Sequence, residues 1–161
     1  MTWTIASTPF DHPDADRLRR AQRRELDARY GSDDHEPGVP PSASDTPVFL
    51  VARDADGTAV ACGGLRPLAD EVLGPDVVEI KRMYVEPSAR GTGVATAVLR
   101  ELEAAASARG ARRLVLETGT GQPDAIRFYA REGYESIPLF GSYLGGAESV
   151  CFGRDLAPAG A

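Results

Sequence analysis

The sequence predicts a single α/β (α+β) domain: one mixed, mostly antiparallel central sheet with one parallel βαβ crossover and flanking helices. Three observations carry this. Strand-like and helical stretches follow one another as β-α-β-β-β-α-β-α-β-β along 161 residues, a length that makes one domain with a core of its own. Turn-rich pieces join the three consecutive strands before the second helix, which favours antiparallel hairpins. Only the unit around Arg90 demands a parallel crossover, whereas a doubly wound fold would need several.

The elements follow in chain order. Thr2 to Ser7 reads as a short strand. Asp14 to Tyr30 reads as a helix, with Asp11 or Asp14 placed to cap it. Ala15, Leu18, Ala21, Gln22, Leu26 and Tyr30 share one face, and Arg17, Arg20, Arg23 and Arg24 decorate the others, either as a solvated face with Asp16 paired to Arg20 or as a ligand surface. From Gly31 to Thr46 the composition turns to Asp, Glu, Pro, Ser and Gly, which predicts a mobile loop too long for a simple connector. Val48 to Arg53 and Thr58 to Leu65 form a hairpin across Asp54-Ala55-Asp56-Gly57. A turn-rich piece, Asp70 to Asp76, leads into the strand Val77 to Val85.

Pro87 stops that strand, and Arg90-Gly91-Thr92-Gly93 turns the chain. Val94, Val98, Leu99, Leu102 and Ala106 then recur at helical spacing until Gly110 closes the helix. Arg113 to Glu117 reads as a buried strand, Thr118 to Gln122 as a loop, and Pro123 to Arg131 as a helix with proline in its first turn, ended by Gly133. Tyr134 to Ile137 and Glu148 to Leu156 close the sheet around the connection PLFGSYLGG.

Composition bounds the function. A formal net charge of -6 and a pI of about 4.9 argue against nucleic acid or an anionic membrane as main partner. Lys81 is the sole lysine, so arginine carries the positive charge and an anionic ligand must be held locally. Cys62 and Cys151 lie in apolar strands without CxxC spacing and read as buried free thiols. His12 and His35 sit in polar N-terminal sequence, which predicts neither a metal site nor a Ser-His-Asp triad. MTWTIAS offers neither a basic leader nor a long apolar core, and no stretch approaches a membrane span, so the cytoplasm is the expected location.

The glycine turn is the chemical centre. A helix that begins on glycines presents its first backbone N–H groups unpaired, with the positive end of the helix dipole behind them, and so seats a phosphate or diphosphate. Glycine also serves tight turns without a ligand, so the flanks must decide. Here the string Arg90-Gly91-Thr92-Gly93-Val94-Ala95 fits R/Q-x-x-G-x-G/A, preceded by EIKRMYV and followed by AIRFYAREGY. From about Val48 to Leu156 the chain resembles the GNAT superfamily of acyl-CoA-dependent N-acyltransferases, and the element order agrees.

That resemblance implies an N-acetyltransferase using acetyl-CoA as co-substrate, without a metal, on a primary amine of a small molecule or peptide by direct attack. It implies a single domain over residues 1–161 and leaves a homodimer open. The main-chain groups of Arg90, Gly91, Gly93, Val94 and Ala95, with the Thr96 hydroxyl, would hold the diphosphate. Met83, Tyr84 and Val85 would pair with the pantetheine arm as a strand edge does. Gln122 stands where many members carry an asparagine toward that arm, and the motif ends in Ala95 where glycine is commoner.

Transfer to an ordinary amine requires removal of a proton, because a pKa near 10.4 leaves only about one molecule in a few thousand neutral at pH 7. Glu79 stands where some relatives carry the general base, with a salt bridge to Lys81 or Arg82 as its other reading. Tyr129 stands where the family places a general acid beside the thioester sulfur, with core packing beside Phe128 as its other reading. Arg82, Phe140 and Tyr143 are candidate contacts to the acceptor. Two other classes fit part of the pattern: a non-catalytic acyl-CoA-binding module on the same fold, and a dinucleotide-binding oxidoreductase with Glu117 as its ribose acid, although Thr96 replaces the third glycine of that motif.

Overall fold

The computed structural model describes residues 2–157. Its elements run β1 (Thr4–Ser7), α1 (Pro13–Tyr30), β2 (Val48–Arg53), β3 (Ala59–Asp70), β4 (Gly74–Val85), α2 (Val94–Ala108), β5 (Arg113–Gly119), α3 (Pro123–Arg131), β6 (Glu135–Ile137) and β7 (Ser149–Asp155). This is the predicted order. The strands form one seven-stranded sheet, β1-β2-β3-β4-β5-β7-β6, in which β4 and β5 are the single parallel pair. One parallel pair makes no doubly wound sheet, so the dinucleotide-binding alternative loses its architecture.

Local chemistry accounts for the elements and for two departures from expectation. The cap of α1 is His12, whose Nδ1 accepts the Asp14 amide at 3.1 Å, in place of Asp11 or Asp14. Pro13 follows at the first helical turn, where its missing N–H costs nothing. The hairpin of β3 and β4 turns at Asp70–Gly74, several residues beyond the expected end of β3. Pro67 sits within it, paired with Val78 at a level where β2 no longer flanks β3, since the β2–β3 pairing ends at Val48 and Leu65. A proline is tolerated on such an open edge.

Three buried clusters hold the layers together. Val98, Leu99, Leu102 and Ala106 of α2, with Tyr129 of α3, pack on Val78, Ile80, Leu114 and Leu116. On the other face Ala15 and Leu18 of α1 pack on Phe49, Val51, Cys62 and Tyr84. Phe140 and Tyr143 fold over Val77, Val115 and Cys151. Both cysteines are free and buried; burial pushes the Cys62 thiol up to about 12 and the Cys151 thiol up to about 11. No helix among the described residues is long and apolar enough to cross a membrane.

The segment predicted as a mobile loop carries no helix or strand between Tyr30 and Val48, yet it is fastened to the sheet. His35 stacks on Tyr30 and its Nε2 lies 2.7 Å from Asp27 Oδ1. Glu36 turns inward to Lys81 and Arg82, and Arg66 donates to the Val39 carbonyl at 2.8 Å.

Candidate functional site

The site begins with a failure of pairing. β4 and β5 pair only at Val77–Arg113, Val78–Leu114 and Glu79–Val115, although β4 continues to Val85 and β5 to Gly119. The cause lies on the other edge of β4, where Cys62 faces Tyr84 and Gly64 faces Lys81, so Gly63 alone opposes Arg82 and Met83. Arg82 takes up the extra residue with φ 59°. Such a bulge bends its strand, and it lies within the stretch past Glu79 where β4 and β5 no longer pair.

A cavity of about 340 Å³ fills the mouth of this gap between α1, the end of β4, the glycine turn and α3. Met83, Tyr84, Val85, Arg90, Gly91, Gly93, Val94, Ala95, Thr96, Gln122 and Tyr129 all line it. Gly91 and Gly93 have φ 76° and 93°, a region that a side-chain-bearing residue enters only with strain. They turn the chain so that α2 starts without any side-chain cap and without an acidic residue in its first turn. The amides of Gly91, Thr92, Gly93, Val94, Ala95 and Thr96 have no protein acceptor among the described residues; the first helical bond runs from the Ala97 amide to the Gly93 carbonyl. This is an anion seat of several convergent donors.

Two predicted contacts are revised at this point. The Arg90 amide donates to the Pro87 carbonyl at 3.3 Å, so it is not one of the free donors. Its guanidinium ties the turn down, with Nε on the Val85 carbonyl at 3.0 Å and Nη2 on Glu25 Oε2 at 2.9 Å. The Thr96 hydroxyl donates to Glu132 at 2.9 Å and is not free to donate to a phosphate. A Cβ at Gly93 would approach Trp3 at 3.6 Å, an ordinary contact, so among protein atoms it is the backbone conformation that calls for glycine.

Tyr129 stands where this cavity meets a smaller one of about 110 Å³, and it lines both. Its ring is wedged among Phe128, Tyr134 and Phe152. The hydroxyl has no hydrogen-bond partner among the described residues, and burial pushes the phenol above its ordinary pKa. Two further polar atoms at this junction are buried without partners: Gln22 Oε1 and Thr118 Oγ1. Gln22 also donates through Nε2 to the Met83 carbonyl at 2.8 Å, which fixes α1 against the splayed edge of β4. Gln122 lies beside the same junction, 3.4 Å from the Tyr30 hydroxyl.

The carboxylates sort themselves by access. Glu79 is 1% exposed and lines neither cavity. Tyr143 donates to its Oε2 at 2.6 Å, Arg66 approaches Oε1 at 3.3 Å, and Lys81 Nζ stands 3.8 Å away. The salt-bridge reading therefore describes Glu79, with Arg66 and Lys81 as partners, while Arg82 pairs with Glu36 at 2.7 Å. Glu36 also receives Lys81 at 2.9 Å and Arg23 at 3.1 Å. Although burial opposes it, Lys81 and Arg82 bring the Glu36 carboxyl down to about 2. Glu117 behaves in the opposite way. It lines the smaller cavity opposite Lys81 and Arg82, and burial raises its pKa even though Ser149 donates to it at 2.8 Å.

Of the predicted acceptor contacts, Arg82 lines the smaller cavity, whereas Phe140 and Tyr143 are buried in packing below it and line neither. Sequence reasoning passed over Gln22, Glu36, Glu117 as a cleft acid, and Thr118. Glu117 and Thr118 were visible as polar residues at the end of an otherwise apolar strand. No group of three or more His, Cys, Asp or Glu that could hold a metal ion occurs among the described residues.

Comparison with known proteins agrees with this geometry. The model of the acetyltransferase (GNAT) family matches residues 10–134. An IAA acetyltransferase of Azospirillum brasilense is 39% identical over 95 residues, which cover 59% of this chain and 59% of the relative. An uncharacterized N-acetyltransferase of Schizosaccharomyces pombe is 33% identical over 89 residues, covering 55% and 52%. The matched part thus spans little more than half the length of these curated relatives. A solved structure named as an acyl-CoA N-acyltransferase of Klebsiella pneumoniae superposes with a TM-score of 0.78 at 31% identity, over 97% of this chain and 99% of that one. A phosphinothricin acetyltransferase of Sinorhizobium meliloti in complex with AcCoA shares the fold, with a TM-score of 0.67 at 23% identity over 98% of this chain and 90% of that one.

Proposed function

The chain belongs to the acetyltransferase (GNAT) family, and we propose that it moves an acetyl group from acetyl-CoA to the primary amine of a small molecule or peptide by direct attack. The observation that carries this reading is the run of free amides from Gly91 to Thr96, which opens into a cleft ending at the free hydroxyl of Tyr129. Acetyl-CoA supplies the activated acyl group as a thioester. In this reading the amides of Gly91, Gly93, Val94 and Ala95 hold its diphosphate, each favourable charge at a helix N-terminus being worth roughly 0.3–1 kcal/mol. The edge of β4 from Met83 to Val85 aligns the pantetheine arm, and the unpaired Gln22 Oε1 and Thr118 Oγ1 supply acceptors beside it.

The smaller cavity takes the amine. Glu117, the raised carboxylate that faces it, removes the ammonium proton, the role that Glu79 held on sequence grounds. Glu79 instead holds Lys81 and Tyr143 in place beneath the site. As nitrogen bonds to the carbonyl carbon and the carbon–sulfur bond breaks, Tyr129 donates a hydrogen bond to the departing sulfur, and the second proton lost by the nitrogen goes to the thiolate, which leaves as the thiol. Its raised pKa keeps the phenol protonated, so it acts as a donor at any working pH.

A thiol-release assay with acetyl-CoA over amino acids, polyamines, aminoglycosides and peptides tests this reading. Acceptor-dependent release, strongly slowed in Tyr129→Phe, is expected. Tight acetyl-CoA binding with no release on any acceptor would turn the assignment into a non-catalytic acyl-CoA-binding module.

A further inference from the structure

Away from the cleft, α1 and the 31–46 segment enclose a third concavity of about 430 Å³ whose walls are Arg19, Arg20, Arg23, Arg24, Arg82, Pro40 and Pro41. Four of the arginines come from one side of α1, at positions i, i+1, i+4 and i+5, and the fifth from the β4 bulge. The prolines facing them have no N–H to offer, so every donor in the bowl is a guanidinium. Four of the five arginines share two carboxylates there, and Arg19 also donates through Nη2 to the Phe10 carbonyl at 2.8 Å. Asp16 serves Arg19 at 3.6 Å and Arg20 at 2.7 Å, and Glu36 serves Arg23 and Arg82 while also holding Lys81. Arg24 has no ion-pair partner among the described residues, and Arg19 Nε is buried without an acceptor. Burial first, and repulsion from Arg82 and Arg20 with it, draws the Arg19 guanidinium below its ordinary pKa, although Asp16 opposes this.

Such a concentration of like charge in a chain of net charge -6 is electrostatically costly unless an anion neutralises it. Guanidinium forks match the oxygens of phosphate and carboxylate in paired hydrogen bonds. The acidic surroundings disfavour a long polyanion such as a nucleic acid, which would have to run past the bowl. We propose that this bowl is a second anion site, distinct from the glycine turn, for a small molecule carrying two or more phosphate or carboxylate groups. Because Arg82 lines both the bowl and the smaller cavity beside Tyr129, and Glu36 of that cavity pairs with Arg23 and Arg82 of the bowl, its occupant reaches the acceptor end of the cleft through these side chains.

The test is calorimetric titration of tripolyphosphate, and separately of citrate, into protein saturated with coenzyme A, so that the glycine turn is already filled. The comparison is with Arg20→Gln/Arg24→Gln, two residues whose loss removes charge from the rim without touching the cleft. One-site binding that weakens with added salt and falls at least about tenfold in the double variant is expected. Binding of citrate as well as tripolyphosphate assigns the site to polyanions in general; binding of tripolyphosphate alone assigns it to phosphates. Absence of binding by both probes, or affinity unchanged in the double variant, overturns the proposal. Should coenzyme A not bind, the same comparison is made without it, and only the binding that the double variant loses is assigned to the bowl.

Discussion

Glu36 is the residue around which the charged wall of the smaller cavity is built, and its removal has a calculable consequence. The carboxyl is brought from an ordinary 4.5 to about 2 by Lys81 and Arg82, against the opposing effect of burial. Each tenfold change in proton affinity is worth about 1.4 kcal/mol, so the ion cluster contributes on the order of 3 kcal/mol. The folded pKa is depressed, so this contribution is complete above the unfolded value near 4.5 and is lost as pH falls through about 2. Glu36→Gln removes it at every pH and also leaves Lys81 buried without its closest carboxylate. Urea denaturation of parent and variant from pH 7 downward is the assay. The account expects the variant to be about 3 kcal/mol less stable at pH 7, and the two curves to converge as pH falls below 4.5 toward 2. A gap at pH 7 below about 0.5 kcal/mol, or one that does not change with pH, would refute the reasoning, since it would mean that the cluster is worth no more than exposed surface pairs.

The remaining predictions concern the cleft. Tyr129→Phe lowers kcat about 100-fold and leaves acetyl-CoA affinity within about twofold, as expected of a donor that acts on the leaving group; an unchanged kcat removes the phenol from the mechanism. Glu117→Gln lowers kcat/KM most at high pH, where the parent carboxylate is deprotonated, and the difference narrows as pH falls through its raised pKa. A pH–rate profile that is superimposable in parent and variant places the base elsewhere. Gly93→Ala forces a Cβ into φ 93° at a cost of about 1–2 kcal/mol, read as a Tm lower by about 3–6 °C together with weaker acetyl-CoA binding.

Much of this architecture is written locally. Pro123 at the first turn and Gly133 just past the end bracket α3, whose observed span matches the expected one, and β2 likewise coincides with its apolar run. The glycine turn is legible because the residues that need positive φ are the ones that expose the amides. The rest depends on long-range contacts. Nothing near Glu36 in sequence says that it will turn inward; the sole lysine and the Arg82 bulge, more than forty residues away, draw it in. Distance along the chain also hides the fate of Glu79, which lies two residues from Lys81 in sequence but is held by Tyr143 from near the far end of the chain. Phe140 and Tyr143 look like cleft aromatics in a glycine-rich connection, yet Val77, Val115 and Cys151 offer them an apolar face, and packing wins. Gln22 reads as part of a core-facing stripe, and only the splay of β4 reveals that its amide meets the Met83 carbonyl.

The central claim is that the backbone amides from Gly91 to Thr96 grip the diphosphate of acetyl-CoA. Amide chemical shifts of nitrogen-15-labelled protein, recorded as acetyl-CoA is added, test it residue by residue. The account predicts large shifts at Gly91, Gly93, Val94 and Ala95, with no comparable movement at Arg90, whose N–H is already bonded to Pro87. Saturable acetyl-CoA binding that leaves these four amides where they were would contradict it.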